Sequence, residues 1–277
     1  LKKGAYMTQK IMLDSDAIIY EYCENNKSIN FIAKEYKVSW NTIKRILCEN
    51  NISIVSNRNQ KVYQSVDTEL FKTIDSEEAA YWLGFLYADG SVKKDKNEIS
   101  LVLQEQDLDS VIAFQKFVGN KNNIFEKEKI YKDGIHKYYG YSFSSRYVKQ
   151  NLCNLGCVPA KTSILKFPTI EQVSNNFIYD FVRGYIDGDG YIQFDFEQSR
   201  YRIVILGTYD FLNGLVKRLN IQEHSSIYER KAAHIYALEI GHKDFVYDFL
   251  NRLYENSTVY LKRKYNIYVQ ARKTLGL

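Results

Sequence analysis

One stretch of this 277-residue chain occurs twice. Ala80-Tyr81-Trp82-Leu83-Gly84-Phe85-Leu86-Tyr87-Ala88-Asp89-Gly90 returns as Asp180-Phe181-Val182-Arg183-Gly184-Tyr185-Ile186-Asp187-Gly188-Asp189-Gly190, each matched position lying 100 residues from its mate. Repetition on this scale predicts two similar supersecondary units that bury apolar faces against each other. It also predicts that whatever chemistry the first copy carries is carried twice.

The signals after each copy come in the same order. Ile99, Leu101 and Leu103 alternate with Ser100 and Gln104; Ile192, Phe194 and Phe196 alternate with Gln193, Asp195 and Glu197. That is the period of strands with one apolar and one polar face. Helical periods follow at about Leu108 to Phe117 and at Tyr209 to Leu219, then two more strands and another helix. Each half reads as αββαββα, an α+β unit whose antiparallel four-stranded sheet is covered by helices on one face. The other face would carry Gln104, Gln193, Asp195, Arg200, Arg202, Tyr228 and Arg230, a mixture of donors and acceptors suited to base edges.

Within each copy the small residues stand four apart, Gly84 with Ala88 and Gly184 with Gly188, so each helix has a stripe along which another backbone can approach. Packing on those stripes would set Asp89 beside Asp189 at two helix C-termini, where the macrodipoles are already negative. Two carboxylates about 4 Å apart repel by roughly 4 kcal/mol at an effective dielectric near 20. A hard divalent cation, Mg²⁺ or Mn²⁺, would relieve this, completed by water, phosphate oxygens and the carbonyls of Ala88 and Gly188. One Asp-Gly alone reads as a helix ending; two in register read as a site.

In this combination the paired motif resembles the two-motif LAGLIDADG homing endonucleases, from about Glu77 to the end of the chain. The resemblance implies a monomer of tandem pseudo-twofold repeats that cuts both strands of a long double-stranded DNA site across the minor groove, by metal-activated water, in intron homing. It places Asp89 and Asp189 at the metal-binding acidic positions. It also implies basic residues after the last helix of each repeat. Aligning Val158-Pro159-Ala160-Lys161 with Val259-Tyr260-Leu261-Lys262 nominates Lys161 and Lys262 as catalytic. Gln104, Asp107 and Thr208 lie where the family places polar residues near a central water network, although the halves do not align cleanly there. Tyr87 and Arg183 depart from the family pattern at positions outside the metal centre. Relatives of this fold that bind without cutting, as transcriptional regulators or RNA maturases, are the alternative.

Ahead of the repeat, residues 1–55 read as a small all-α domain of helix-turn-helix form. Ile29, Ile32 and Ala33 face inward, Val38 plugs the turn, and Ser39 caps a second helix with Ile43, Ile46 and Leu47 inside. Trp40, Asn41, Lys44 and Arg45 are left outside for a major groove. The segment resembles the helix-turn-helix appendages of phage and intron-encoded nucleases. Residues 56–75 read as a linker, either a basic segment with Arg58 that lies along a minor groove or a plain solvated tether, followed by repeats at 76–170 and 171–277.

Composition bounds the rest. The net charge of +5 is spread along the chain, with 11 Lys/Arg against 9 Asp/Glu through Asp75 and 27 against 24 beyond it, so any DNA surface must be built by local arrangement. Cys23, Cys48, Cys153 and Cys157 and the histidines His136, His224, His234 and His242 show no zinc-ligand spacing and read as structural. With no membrane span or signal segment, a cytoplasmic protein is expected, bacterial, phage-encoded or organellar.

Overall fold

The computed structural model describes residues 14–23, 25, 27–50, 52, 54, 66–119, 122–195, 200–230 and 235–274. The chain divides into two compact units, Leu1–Gln64 and Ser65–Leu277.

In the first unit, helices α1 (Ser15–Cys23), α2 (Ile29–Glu35) and α3 (Trp40–Glu49) enclose a core of Ile18, Tyr22, Ile29, Ile32, Ala33, Ile43, Ile46 and Leu47. Serines start the last two helices: Ser39 Oγ accepts from the Thr42 amide at 3.2 Å as the sequence predicts, and Ser28 Oγ from the Phe31 amide at 3.2 Å. Val38 packs on the core between them. Trp40, Asn41, Lys44 and Arg45 are exposed; the Lys44 ammonium sits 5.1 Å over the Trp40 ring and Arg45 lies 3.7 Å from Glu49. Arg58 lies outside the described residues.

The second unit runs α4 (Glu77–Ala88), β1 (Gly90–Val92), β2 (Glu98–Gln104), α5 (Leu108–Val118), β3 (Phe125–Tyr131), β4 (Gly134–Ser144) and α6 (Arg146–Asn154). It then repeats this order with α7 (Ile178–Asp189), β5 (Gly190–Asp195), β6 (Arg200–Gly207), α8 (Tyr209–Leu219), β7 (Ser225–Arg230), β8 (Ile235–Ile240) and α9 (Lys243–Tyr254), closing with α10 (Lys262–Thr274). Both sheets are antiparallel and share one topology, β1-β2-β4-β3 and β5-β6-β8-β7. The expected α+β alternation is therefore present in both halves, and one apolar core joins them.

Two expectations are corrected. The second half of the presumed linker belongs to this core: Val66 and Phe71 are buried, and the Asn151 amide group donates to the carbonyls of Thr68 and Leu70, both at 3.0 Å. Val66, Leu70, Phe71 and Ile74 are too thinly spaced to announce an element, yet their apolar surface has a core to join. The cysteines are not uniformly interior either: Cys157 is buried and Cys153 half-buried, but Cys23 and Cys48 on α1 and α3 are exposed. Among the described residues no helix is long and apolar enough to cross a membrane.

Candidate active site and nucleic-acid interface

Helices α4 and α7 touch backbone to backbone because glycine stands at their crossing. A Cβ on Gly84 would fall 1.9 Å from the Phe181 carbonyl oxygen, and one on Gly184 2.0 Å from that of Tyr81. Nearer the C-terminal ends, a Cβ on Gly188 would fall 2.3 Å from Ala88 Cβ and 3.3 Å from Oδ2 of Asp89. The small-residue stripes thus bring together the helix ends that carry the acids: Asp89 caps α4 and Asp189 is the last residue of α7.

Both carboxyls resist ionisation. Burial pushes Asp189 up to about 6, with the charge of Asp89 adding to the rise and Lys161 and Lys264 opposing it. Asp89 is raised as well, by burial first, against the pull of Lys264, Lys161 and Arg263. Asp89 nonetheless keeps an exposed edge, and Asp189 lines two open cavities of about 490 and 280 Å³. Among the described residues neither carboxylate accepts a hydrogen bond, so their oxygen lone pairs are available. Two such carboxylates beside main-chain carbonyls make a hard-oxygen donor set that suits Mg²⁺ or Mn²⁺. Among the described residues no group of three or more His, Cys, Asp or Glu converges, so the remaining ligands would be water and substrate.

The lysines are placed unevenly. Lys161 donates to the Gly90 carbonyl at the end of α4 and lines the 280 Å³ cavity together with Asp189. Lys262, its expected mate, is 76% exposed, 3.9 Å from Asp109. The matching contact is made by Lys264, whose ammonium donates to the carbonyls of Ile186, Asp187 and Gly190 at 2.5, 2.8 and 2.6 Å. Gly90 and Gly190 are matched residues of the repeat, so Lys264 is the counterpart of Lys161. It is 2% exposed, and burial pushes it down to about 8. The reason lies in the chain beyond each half's last motif helix: a short 3-10 turn at Lys161–Ser163 in the first, the start of α10 in the second. Sequence offset across unlike segments does not identify the lysine that makes the matching contact.

The positions that depart from the family pattern are structural. Tyr87 donates its hydroxyl to the Leu155 carbonyl. Its mate Asp187 is buried and accepts from Tyr254 at 2.6 Å, Tyr81 at 3.0 Å and the Leu261 amide at 2.7 Å. Arg183 is buried on Glu77 at 2.7 Å, Asp180 at 2.9 Å and the carbonyls of Leu253 and Val259 at 2.6 and 3.0 Å.

Asp107 and Thr208 prove to be matched after all, each being the residue just before the second helix of its half, α5 or α8. Thr208 accepts from the Phe211 amide at 3.1 Å and donates to the Leu165 carbonyl at 2.5 Å. Asp107, nearly buried, holds Nε of Arg263 at 3.1 and 3.2 Å.

Register defines the open sheet faces. In the second half Ile192, Ile203 and Leu238 face the core, which leaves Tyr191, Gln193, Asp195, Arg202, Tyr228 and Arg230 on the other side, as expected; Arg200 pairs with Asp195 in the same register. Arg202 donates to Gln193 at 2.9 Å and lies 3.7 Å from Glu239. Arg202, Tyr228 and Arg230 line the 490 Å³ cavity that reaches Asp189. In the first half Gln104 is exposed on the open face, accepting from Gln106 at 3.0 Å.

The sequence reading missed the rest of that face. Opposite Gln104 stands Tyr138, and opposite Tyr138 and His136 stand Lys127 and Lys129. The Lys129 ammonium sits 4.6 Å over the Tyr138 ring, and Tyr131 and Tyr138 join hydroxyls at 3.2 Å. Glu126, Glu128 and Ile130 fall on the other side of the strand, so β3 segregates its lysines from its glutamates. That segregation was readable in the alternation Lys127-Glu128-Lys129.

The sequence matches no established family model and no curated protein. Among solved structures, neighbours of the fold are LAGLIDADG homing endonucleases and WhiA at low sequence identity. Meganuclease I-SmaMI bound to uncleaveable DNA shares 13% identity across 71% of this chain and 89% of that one, at a TM-score of 0.48. The I-LtrWI LAGLIDADG homing endonuclease bound to target DNA shares 11% across 76% and 91%, at 0.47. Full-length DUF199/WhiA from Thermatoga maritima shares 15% across 74% and 65%, at 0.44.

Proposed function

We propose that the chain is a site-specific, divalent-metal-dependent endonuclease that cuts both strands of a long double-stranded DNA site across its minor groove. The observation that carries this reading is the convergence of Asp89 and Asp189, two carboxylates with unused oxygens, at helix ends flanked by two sheets with polar open faces. In the hydrolysis, a water oxygen bonds to phosphorus, the bond to one sugar oxygen breaks, and that oxygen leaves as a hydroxyl. Asp89 and Asp189, with the Ala88 and Gly188 carbonyls, would hold Mg²⁺ or Mn²⁺, which when bound polarises the phosphate and lowers the pKa of water. Lys161, at the cavity shared with Asp189, stabilises charge developing on the phosphate oxygens. Lys264 has no ammonium hydrogen to spare after its three carbonyls, so it anchors the end of α7.

Recognition belongs to the sheets: Gln104, Lys127, Lys129 and Tyr138 on one, Gln193, Asp195, Arg200, Arg202, Tyr228 and Arg230 on the other. The first unit, with Trp40, Asn41, Lys44 and Arg45 on the outer face of α3, acts as a helix-turn-helix grip. A second reading, a non-cleaving transcriptional regulator or RNA maturase, is favoured by one observation. Lys161 and Lys264 already offset part of the charge of the two acids, so the cluster is partly compensated without an ion.

The decisive experiment uses duplexes selected from a randomised DNA library. Asp89→Asn and Asp189→Asn should each abolish double-strand cleavage in Mg²⁺ while keeping affinity, and removal of Leu1–Gln64 should lessen the salt dependence of binding. A wild-type chain that binds its selected duplexes and leaves them intact in Mg²⁺ and Mn²⁺ would establish the second reading.

A further inference from the structure

Each open sheet face carries one mainly apolar rung beside the acids. In the first sheet Gly90 pairs with Leu101, and the next rung is Val102, Gly140 and Phe125. In the second Gly190 pairs with Ile205, and the next rung is Leu206, Ala237 and Tyr228. The two rungs therefore occupy matched places in the repeat. Leu101 and Leu103 enter the core, so Val102 between them points to the open side, as Leu206 does beside the buried Ile205. The flanking rungs of the first sheet are polar: Ser100 with Ser142, and Gln104 with Tyr138 and Lys127. The aromatic end of each apolar rung is open, Phe125 being 38% exposed and Tyr228 42%. The Phe125 ring crosses Gly140, where a Cβ would fall 2.6 Å from its Cε2 and 2.9 Å from Val102 Cγ2, so glycine lets the ring and the isopropyl group share one surface. In the second sheet Tyr228 turns its hydroxyl to Glu239 at 3.5 Å and leaves its ring to the rung, while Leu206 lines both cavities that Asp189 lines.

In the major groove the base edges present donors and acceptors, and their one apolar group is the C5 methyl of thymine. An apolar rung set against any other edge strips water from a polar group and returns no hydrogen bond, which costs affinity. We propose that the two rungs are thymine readers, Val102 and Phe125 packing on a C5 methyl in one half of the DNA site, Leu206 and Tyr228 in the other. The target then carries thymine at two positions placed symmetrically about its centre. The inference rests on the reading that the open faces meet DNA, and it holds whether or not the bound site is cut.

The test uses a library-selected duplex in which each thymidine in turn is replaced by deoxyuridine, which lacks only the methyl, with affinity read by anisotropy in metal-free buffer. One position in each half should lose about fourfold, the contribution of one buried methyl group. Phe125→Ser, checked by thermal melting, should abolish the loss at one of these positions and keep it at the other; Leu206→Ser should do the reverse. Phe125→Leu should retain both losses. Gly140→Ala keeps Phe125 but displaces its ring, so it should blunt the Phe125 position alone and separate a lost contact from a lost fold. The proposal is overturned if deoxyuridine costs nothing at any position, or if its costs are the same in the wild type and Phe125→Ser. A chain that enriches no duplex from the library instead overturns the DNA reading on which it stands.

Discussion

Gly184→Ala tests the seam on which the site is built. The new methyl carbon would lie 2.0 Å from the Tyr81 carbonyl oxygen, 2.8 Å from its carbon and 2.9 Å from the Phe85 nitrogen. Nonbonded heavy atoms normally keep about 3.5 Å apart, so α7 must retreat from α4 by roughly 1 Å. The three nearest atoms are all backbone, and no rotamer change relieves the clash. Overpacking of this kind costs about 3 kcal/mol, the upper part of the usual range. The same substitution in an unpacked helix would stabilise by about 1 kcal/mol, because alanine is the better helix former. The net is a loss of about 2 kcal/mol, which for a unit of this size lowers Tm by roughly 4–8 °C. Thermal unfolding by calorimetry, with a urea titration to check that the m-value is unchanged, reads it directly. A Tm at or above that of the wild type would refute the backbone contact, and with it the juxtaposition of Asp89 and Asp189.

Arg183→Met should destabilise the second unit by about 3–5 kcal/mol, because it leaves Glu77 and Asp180 facing a buried gap in the charge network; adding Glu77→Gln and Asp180→Asn should recover part of the loss in urea midpoint. On β3, Lys127→Ala and Lys129→Ala should each weaken DNA binding and reduce the slope of log affinity against log salt by about 0.9, whereas Glu128→Gln, on the opposite face, should leave the slope unchanged. Anisotropy titrations between low and moderate salt compare them, and equal effects from the two faces would remove the sheet from the interface.

Much of this fold was legible because it obeys local periods. The matched motif, the alternation of Ile99, Leu101 and Leu103, and the serine cap at Ser39 are each decided by neighbours within a turn or a strand. What was not legible depends on partners far apart in the chain. Arg263 meets Asp107 across 156 residues, and no pattern near either announces the other. Lys264 was passed over for Lys262 because the choice is made by which ammonium reaches a helix-end carbonyl, and alignment carries no information about reach. The repeat predicted two equal halves; the segments after them, unlike in structure, make the halves unequal where the chemistry would occur.

That inequality alters the electrostatic argument for metal. Two carboxylates alone would repel by roughly 4 kcal/mol at 4 Å and an effective dielectric near 20, enough to demand a cation. Here Lys161 and Lys264 supply two positive charges and Arg263 with Asp107 adds a balanced pair, but Lys264 is shared with the buried Asp187, so the acids are only partly compensated. The demand for a divalent ion then grows when a phosphate approaches, since its negative charge is added to a cluster that is only partly compensated. Metal and DNA should therefore bind with positive linkage, each raising the affinity of the other by the same factor. Asp89→Asn removes one negative charge from the cluster, so in that variant phosphate is repelled less without the ion, and the linkage weakens while affinity in metal-free buffer rises.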